Sequence, residues 1–287
     1  MAISHILLPI DATEESQNLI RTCFPFARSF EAHVSVLYIK PDSKDIVPLL
    51  GEGMSVAMIE DMIDLAERQS NKRYEKAKQL FDEVVAKNDV NIVEAASNGG
   101  FSTHWILENG REDEVISRYS RLADIIFLSK PKESVDVSIN LKIHTAIFES
   151  GRAVLIVPSS FSSQVGRRVI ISWNGSVQSA RAIRAALPIL RVSEFVHIIT
   201  VHHDRSEYAR GGDLKDYLGW HGISAETHDI KGSPNVVGPK LLQEVKQLNG
   251  DLLVMGAYTH SRMRQLILGG VTRYVMEHTK QPVLMAH

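Results

Sequence analysis

Four short apolar segments occur twice in this chain, in the same order, and that repetition limits the fold more than any bulk property does. Ile6-Leu7-Leu8-Pro9-Ile10-Asp11 is matched by Val169-Ile170-Ile171-Ser172-Trp173-Asn174, and His33 to Asp42 by Phe195 to Asp204. Asp124 to Ser129 is matched by Asp251 to Gly256, and Ala153 to Ile156 by Pro282 to Met285. A constant order with variable lengths between the segments is the mark of a duplicated unit. The segments are strand-like, and helical patterns separate them, so each unit is α/β with a mostly parallel sheet covered on both faces. Ser159 to Arg168, SSFSSQVGRR, is a Ser-rich break. The predicted organisation is two tandem five-stranded parallel-sheet domains, residues 1–158 and 168–287, joined by a linker at 159–167.

In the first unit the pattern predicts strands at 6–10, 34–39, 91–97, 124–129 and 153–157, and helices at 16–30, 56–87, 113–122 and 141–149. The long helix carries Met58, Met62, Ala77, Phe81 and Val84 near the 3.6-residue period, which reads as core, or as an interface if the helix protrudes. In the second unit, strands fall at 168–173, 195–201, 223–230, 251–256 and 283–286. Helices fall at 179–190, 206–220 and 235–248, and Val271-Thr272-Arg273 opens one more. The last strand should lie at a sheet edge, and an unpaired edge recruits another strand. A pairing interface is expected there, between the two halves or between chains.

The richest stretch is Asp251 to Arg273, DLLVMGAYTHSRMRQLILGGVTR. A strand ends in Gly256, a polar loop follows, and Gly269-Gly270 leads into a helix. Backbone N–H groups left unpaired at such a strand end, together with a helix dipole, suit an anion. The spacing is neither G-x-G-x-x-G nor G-x-x-x-x-G-K-[ST], and it serves a plain tight turn equally well. In open α/β sheets, ligands sit at the carboxyl ends of the strands where the strand order reverses. Asn174, Val201 and Gly256 would all lie at that end.

Other classes find little support. A net charge of −2 offers nothing to nucleic acid, and no apolar run is long enough to span a membrane. The N-terminus, MAISHILLPIDATEES, reads as strand and turn and not as a signal peptide. Cys23, alone, excludes an intrachain disulfide and points to a reducing cytoplasm. His202-His203-Asp204 looks like a metal cluster, but neighbours on a strand face opposite ways, so no metal is expected there. Ser176, in Asn-Gly-Ser, reads as a helix N-cap, and G-x-S-x-G is absent.

On these residues the whole chain resembles the tandem members of the universal stress protein family. Nucleotide-binding members carry Gly-x2-Gly-x9-Gly-[Ser/Thr] after the fourth strand and an Asp closing the first. Here Gly256 matches the first glycine, Thr259 stands at the second, Gly269 matches the third, and Gly270 replaces the hydroxyl residue. Asn174 stands at the Asp position. In the first half Asp11 is in place, but the loop after Ser129, KPKESVDVSINLKIHT, has no glycine. The resemblance implies a Rossmann-like fold of the adenine nucleotide alpha hydrolase type. It also implies ATP or AMP in the second half only, with Gly256, Ala257, His260, Ser261, Gly269, Gly270 and Thr272 at phosphates and ribose and Asn174 and Val201 at the base. A regulatory role, at most slow incidental hydrolysis, and homodimerisation follow from it. The competing expectation is a scaffold or small-ligand protein that binds no nucleotide and acts through its dimer surface.

Overall fold

The computed structural model describes residues 2–41, 55–95, 100–130, 137–202, 210–231, 236–257 and 270–287. The first half runs β1 (His5–Ile10), α1 (Glu14–Ser29), β2 (His33–Lys40), α2 (Val56–Asn88), β3 (Asn91–Ile92), β4 (Ser102–Asn109), α3 (Glu112–Ser120), β5 (Ile125–Ser129), α4 (Val137–Glu149) and β6 (Ala153–Val157). The second runs β7 (Arg168–Ser172), α5 (Val177–Val192), β8 (Phe195–His202), α6 (Gly211–Trp220), β9 (Glu226–Lys231), α7 (Val237–Gln247), β10 (Leu252–Gly256), α8 (Gly270–His278) and β11 (Val283–Ala286). All strands join one sheet in the order β3-β4-β2-β1-β5-β6-β11-β10-β7-β8-β9.

Among the described residues, every strand pairing is parallel except one. At the junction of the halves, β6 and β11 run antiparallel, with Val283 opposite Ile156, Leu284 opposite Leu155 and Met285 opposite Val154. The C-terminal strand therefore pairs between the two halves of one chain. Because the junction is antiparallel, the carboxyl ends of the strands in the two halves point to opposite rims of the sheet. Lys130, just after β5, donates to the carbonyls of Glu277 and Thr279 at 3.0 Å each, so its ammonium caps the C-terminal end of α8 across the junction. The partners of this cation are thus carbonyl oxygens of the other half.

Alternation along each strand divides the core. Ile6, Leu8, Val169, Ile171, Leu252 and Val254 face α1, α2, α5 and α6. Leu7, Ile170, Leu253 and Met255 face α3, α4, α7 and α8. The duplication extends into details that do not pack the core. Pro25 lies inside α1 and Pro188 inside α5, as far apart as Asp11 and Asn174. Asp124 accepts from the amides of Ser4 and His5, and Asp251 from those of Gly166, Arg167 and Arg168, so each carboxylate ties the start of its own first strand. The connecting segment is tied as well. Asn18 on α1 donates to the carbonyls of Ser159 (3.0 Å) and Phe161 (2.8 Å), and the Phe161 ring is buried.

One expectation needs correcting. The strand expected at 91–97 is only Asn91–Ile92 as β3, and residues 96–99 lie outside the described set. Its place in the repeat belongs to β4, which pairs with β2 over its full length. Ser102, Thr103, His104, Glu108 and Asn109 leave β4 only the short apolar run Trp105-Ile106-Leu107. The backbone ladder and the bond from the Thr103 hydroxyl to the Val34 carbonyl (2.8 Å) place it there. Of the two readings of α2, the protruding one holds for its first half, where Met58 and Met62 are exposed, as is Leu65 one turn on. The core contribution of α2 comes from Ala77, Phe81, Val84 and Val85. Trp105 packs among Tyr38, Tyr74 and Phe81, and Trp220 lies exposed, as packing and surface residues respectively.

Candidate functional site

The order of strands reverses between β7 and β10. From β7 the chain proceeds outward to β8 and β9, while β10 leads inward to β11. The carboxyl ends of these neighbouring parallel strands form the crevice that such sheets offer to ligands. Asn174 follows β7, Gly256 ends β10, and Gly270 opens α8 on the same rim, with Thr272 buried in its first turn. Val201 is one strand farther out on β8, partly buried against the α7–α8 face. Ala257 is fully buried. Its amide donates to the Ala286 carbonyl (2.9 Å), and its carbonyl is 3.1 Å from His287 Nδ1. The strand order sets these six residues along one rim of the second half. His260, Ser261 and Gly269 lie outside the described residues, as do His203 and Asp204.

Local chemistry at this rim is dominated by the start of α5. Asn174 Oδ1 accepts from the Ser176 amide (3.2 Å) and hydroxyl (2.7 Å). Ser176 caps the helix, accepting from the Ser179 amide at 3.1 Å. The first half repeats the device at the equivalent positions. Asp11 accepts from the Thr13 amide (3.0 Å) and hydroxyl and from the Ser16 hydroxyl (2.7 Å), and Thr13 caps α1. Burial alone would raise the Asp11 carboxyl. The bonds from Thr13 and Ser16 and the nearby Lys142 charge outweigh it and hold the carboxyl below its ordinary range. Asn174 thus keeps the turn-forming acceptor of Asp11 without its charge.

Gly256 has a structural reason of its own. A Cβ placed there would sit 2.5 Å from the Ser179 amide nitrogen and 2.8 Å from the Gln178 carbonyl carbon. The first turn of α5 rests directly on this glycine, and backbone atoms cannot rotate out of the way. At Gly270 the opposite holds: among the described residues, an added Cβ would meet nothing within 4 Å, in the first turn of α8, where helix amides lack intrahelical partners.

The equivalent crevice of the first half is lined by Pro9, Ile10, Asp11, Ser16, Glu112, Leu128, Ser129, Lys142 and Ile143. An ion pair between Lys142 Nζ and Glu112 Oε1, 2.5 Å apart, lies in it. A cation and an anion already matched to each other leave little charge to offer a phosphate. What sequence reasoning missed here is Lys142 and Glu112, which lie on different helices and look like ordinary surface charges until the sheet brings α3 against α4. Ser179 was missed too, although its spacing from Ser176 and Asn174 copies that of Ser16 from Thr13 and Asp11.

Comparison with known proteins follows the same lines. The universal stress protein family model matches residues 2–128 and 204–287. A curated universal stress protein of Synechocystis sp. is 23% identical over 98% of this chain and 99% of its own length. Among solved structures, a universal stress protein from Archaeoglobus fulgidus superposes with a TM-score of 0.69 at 20% identity, covering 99% of this chain and 96% of that one. A functionally unknown protein from Pseudomonas aeruginosa reaches 0.57 at 12% identity, over 99% and 92%. At these identities the structural likeness speaks for the fold.

Proposed function

The chain belongs to the universal stress protein family, and we propose that it is a regulatory member whose second half alone binds an adenine nucleotide, ATP or AMP. The observation that carries this reading is the contrast between its two strand-end crevices. In the first half, Lys142 and Glu112 neutralise each other beside Asp11. In the second, no described residue lies within 4 Å of a Cβ added at Gly270 in the first turn of α8, on the strand-end rim that also carries Asn174, Gly256 and Ala257. A helix N-terminus suits phosphate oxygens. Thr272 sits in the same turn, and Val201 lies on the neighbouring strand toward the base. His260, Ser261 and Gly269 complete the set by sequence. Asn174 brings hydrogen-bonding capacity but no charge for Mg²⁺ or for a general base, so any hydrolysis is slow and incidental and binding is the signal. A cytoplasmic setting fits the single, buried Cys23.

A second reading is favoured by the packing at Gly256 and the occupied Oδ1 of Asn174, since both residues are accounted for without a ligand. In that reading the protein is a scaffold acting through pairing with a second copy. Because β11 is consumed inside the chain, the homodimer would use another surface, such as the exposed Met58–Met62–Leu65 stripe of α2. Equilibrium dialysis with labelled ATP separates the two readings. Gly270→Val meets no described residue at its Cβ and adds bulk at the start of α8. Binding by the native chain and loss in the variant supports the nucleotide reading. No retention by the native chain favours the scaffold.

A further inference from the structure

At the opposite rim of the second half, away from the crevice, three potential ligands converge. His197 on β8 stands opposite Glu226 on β9 in the parallel register, and Glu226 and His228 are two apart, so all three share one face. His197 Nδ1 is 3.1 Å from His228 Nε2 and 3.5 Å from a Glu226 carboxylate oxygen, and the donor atoms all lie within 4.8 Å of one another. We propose that His197, Glu226 and His228 form a binding site for one divalent transition-metal ion, zinc by preference.

The geometry fits. Ligand atoms each about 2.05 Å from one ion, with the two nitrogens 3.1 Å apart, subtend about 98° at it. The nitrogen–oxygen separation of 3.5 Å gives about 117° at the same bond length. Both angles bracket the tetrahedral value. Two imidazoles and a carboxylate are the borderline donor set that zinc accepts, and they leave one position for water. The site is anchored on one side and open on the other. The His197 side chain is 8% exposed, while that of Glu226 is 74% exposed, so the carboxylate can swing onto an arriving ion. The charged neighbour is Arg168, whose guanidinium stacks on Phe195 at 3.9 Å and which acts electrostatically on His197. Its charge opposes the ion, and the Glu226 carboxylate offsets it. The ion would staple β9, an edge strand, to β8.

The first half provides an internal contrast. Ser35 stands at the repeat position of His197, opposite His104 in register. His5 Nε2 bonds Ser35 Oγ (2.6 Å), and His33 Nδ1 bonds Ser102 Oγ (2.9 Å). Among the described residues, only the second half brings three such ligands together.

The test uses the untagged full chain, stripped with a chelator and titrated with Zn(II) against a chromophoric competitor, with Co(II) absorption as a second readout. One ion per chain is expected. His228→Ala and Glu226→Gln should each weaken binding at least about a hundredfold, since even residues that only orient a ligand cost 10- to 100-fold. The His33→Ala/His104→Ala double variant should bind as the native chain does. Glu226→Gln alters an exposed side chain, so its folding is not at issue. Unchanged affinity in both single variants, or loss in the double variant, would overturn the assignment.

Discussion

Gly256→Ala tests whether the rim of the second half is built as described. The new Cβ would lie 2.5 Å from the Ser179 amide nitrogen and 2.8 Å from the Gln178 carbonyl carbon, against an ordinary contact of 3.4–4 Å. Neither atom is at the end of a flexible side chain. The first turn of α5, and with it the Asn174–Ser176 cap, has to shift by nearly 1 Å, given the 2.5 Å approach. Overpacking of this kind costs about 1–3 kcal/mol. Gly270→Ala is the matched control. Its Cβ meets no described residue, and replacing a helical glycine by alanine stabilises by up to roughly 0.5–1 kcal/mol. Urea unfolding at 25 °C, followed by far-ultraviolet circular dichroism, should give shifts of opposite sign for the two variants. A Gly256→Ala protein as stable as the native chain would refute the packing argument. It would leave ligand contact as the reason for that glycine.

Other outcomes follow from the same packing. Leu284→Ala removes a fully buried side chain opposite Leu155 at the antiparallel junction and should cost about 2–5 kcal/mol, read as a lowered unfolding midpoint. Removal of residues 282–287 should be more damaging still, exposing the β6 edge. Burial first, then the neighbouring His104 and His5, lower the His33 pKa from 6.5 to about 4. With the folded value depressed, the unfolded chain binds protons first, so stability present above pH 6.5 falls as the pH drops toward about 4. In His33→Gln the slope of stability against pH in that window should flatten. An unchanged slope would place the titration elsewhere.

Much of the fold was legible in the chain because buried parallel strands are apolar runs, and the repeat of those runs carries the topology. The Asp11–Thr13–Ser16 and Asn174–Ser176–Ser179 caps were partly legible, since small polar residues at helix starts have a local cause. What failed to show was set by long-range partners. β4 is too polar to announce itself, and only its ladder with β2 makes it a strand. The exposure of Met58 and Met62 follows from α2 outrunning the sheet, which helical periodicity alone does not reveal. Gly256 looked like a phosphate glycine because its contact with Ser179 joins residues far apart in sequence. His197, Glu226 and His228 could be paired only once the register of β8 against β9 was known.

The central claim is that one copy of a duplicated sheet-and-helix unit kept a usable strand-end crevice while the other filled its own with an ion pair. Native mass spectrometry of the intact chain at rising ATP concentration tests it most directly. A single adduct per chain is predicted, absent in Gly270→Val and retained in Lys142→Ala. Two adducts per chain, or one adduct that survives Gly270→Val, would contradict it.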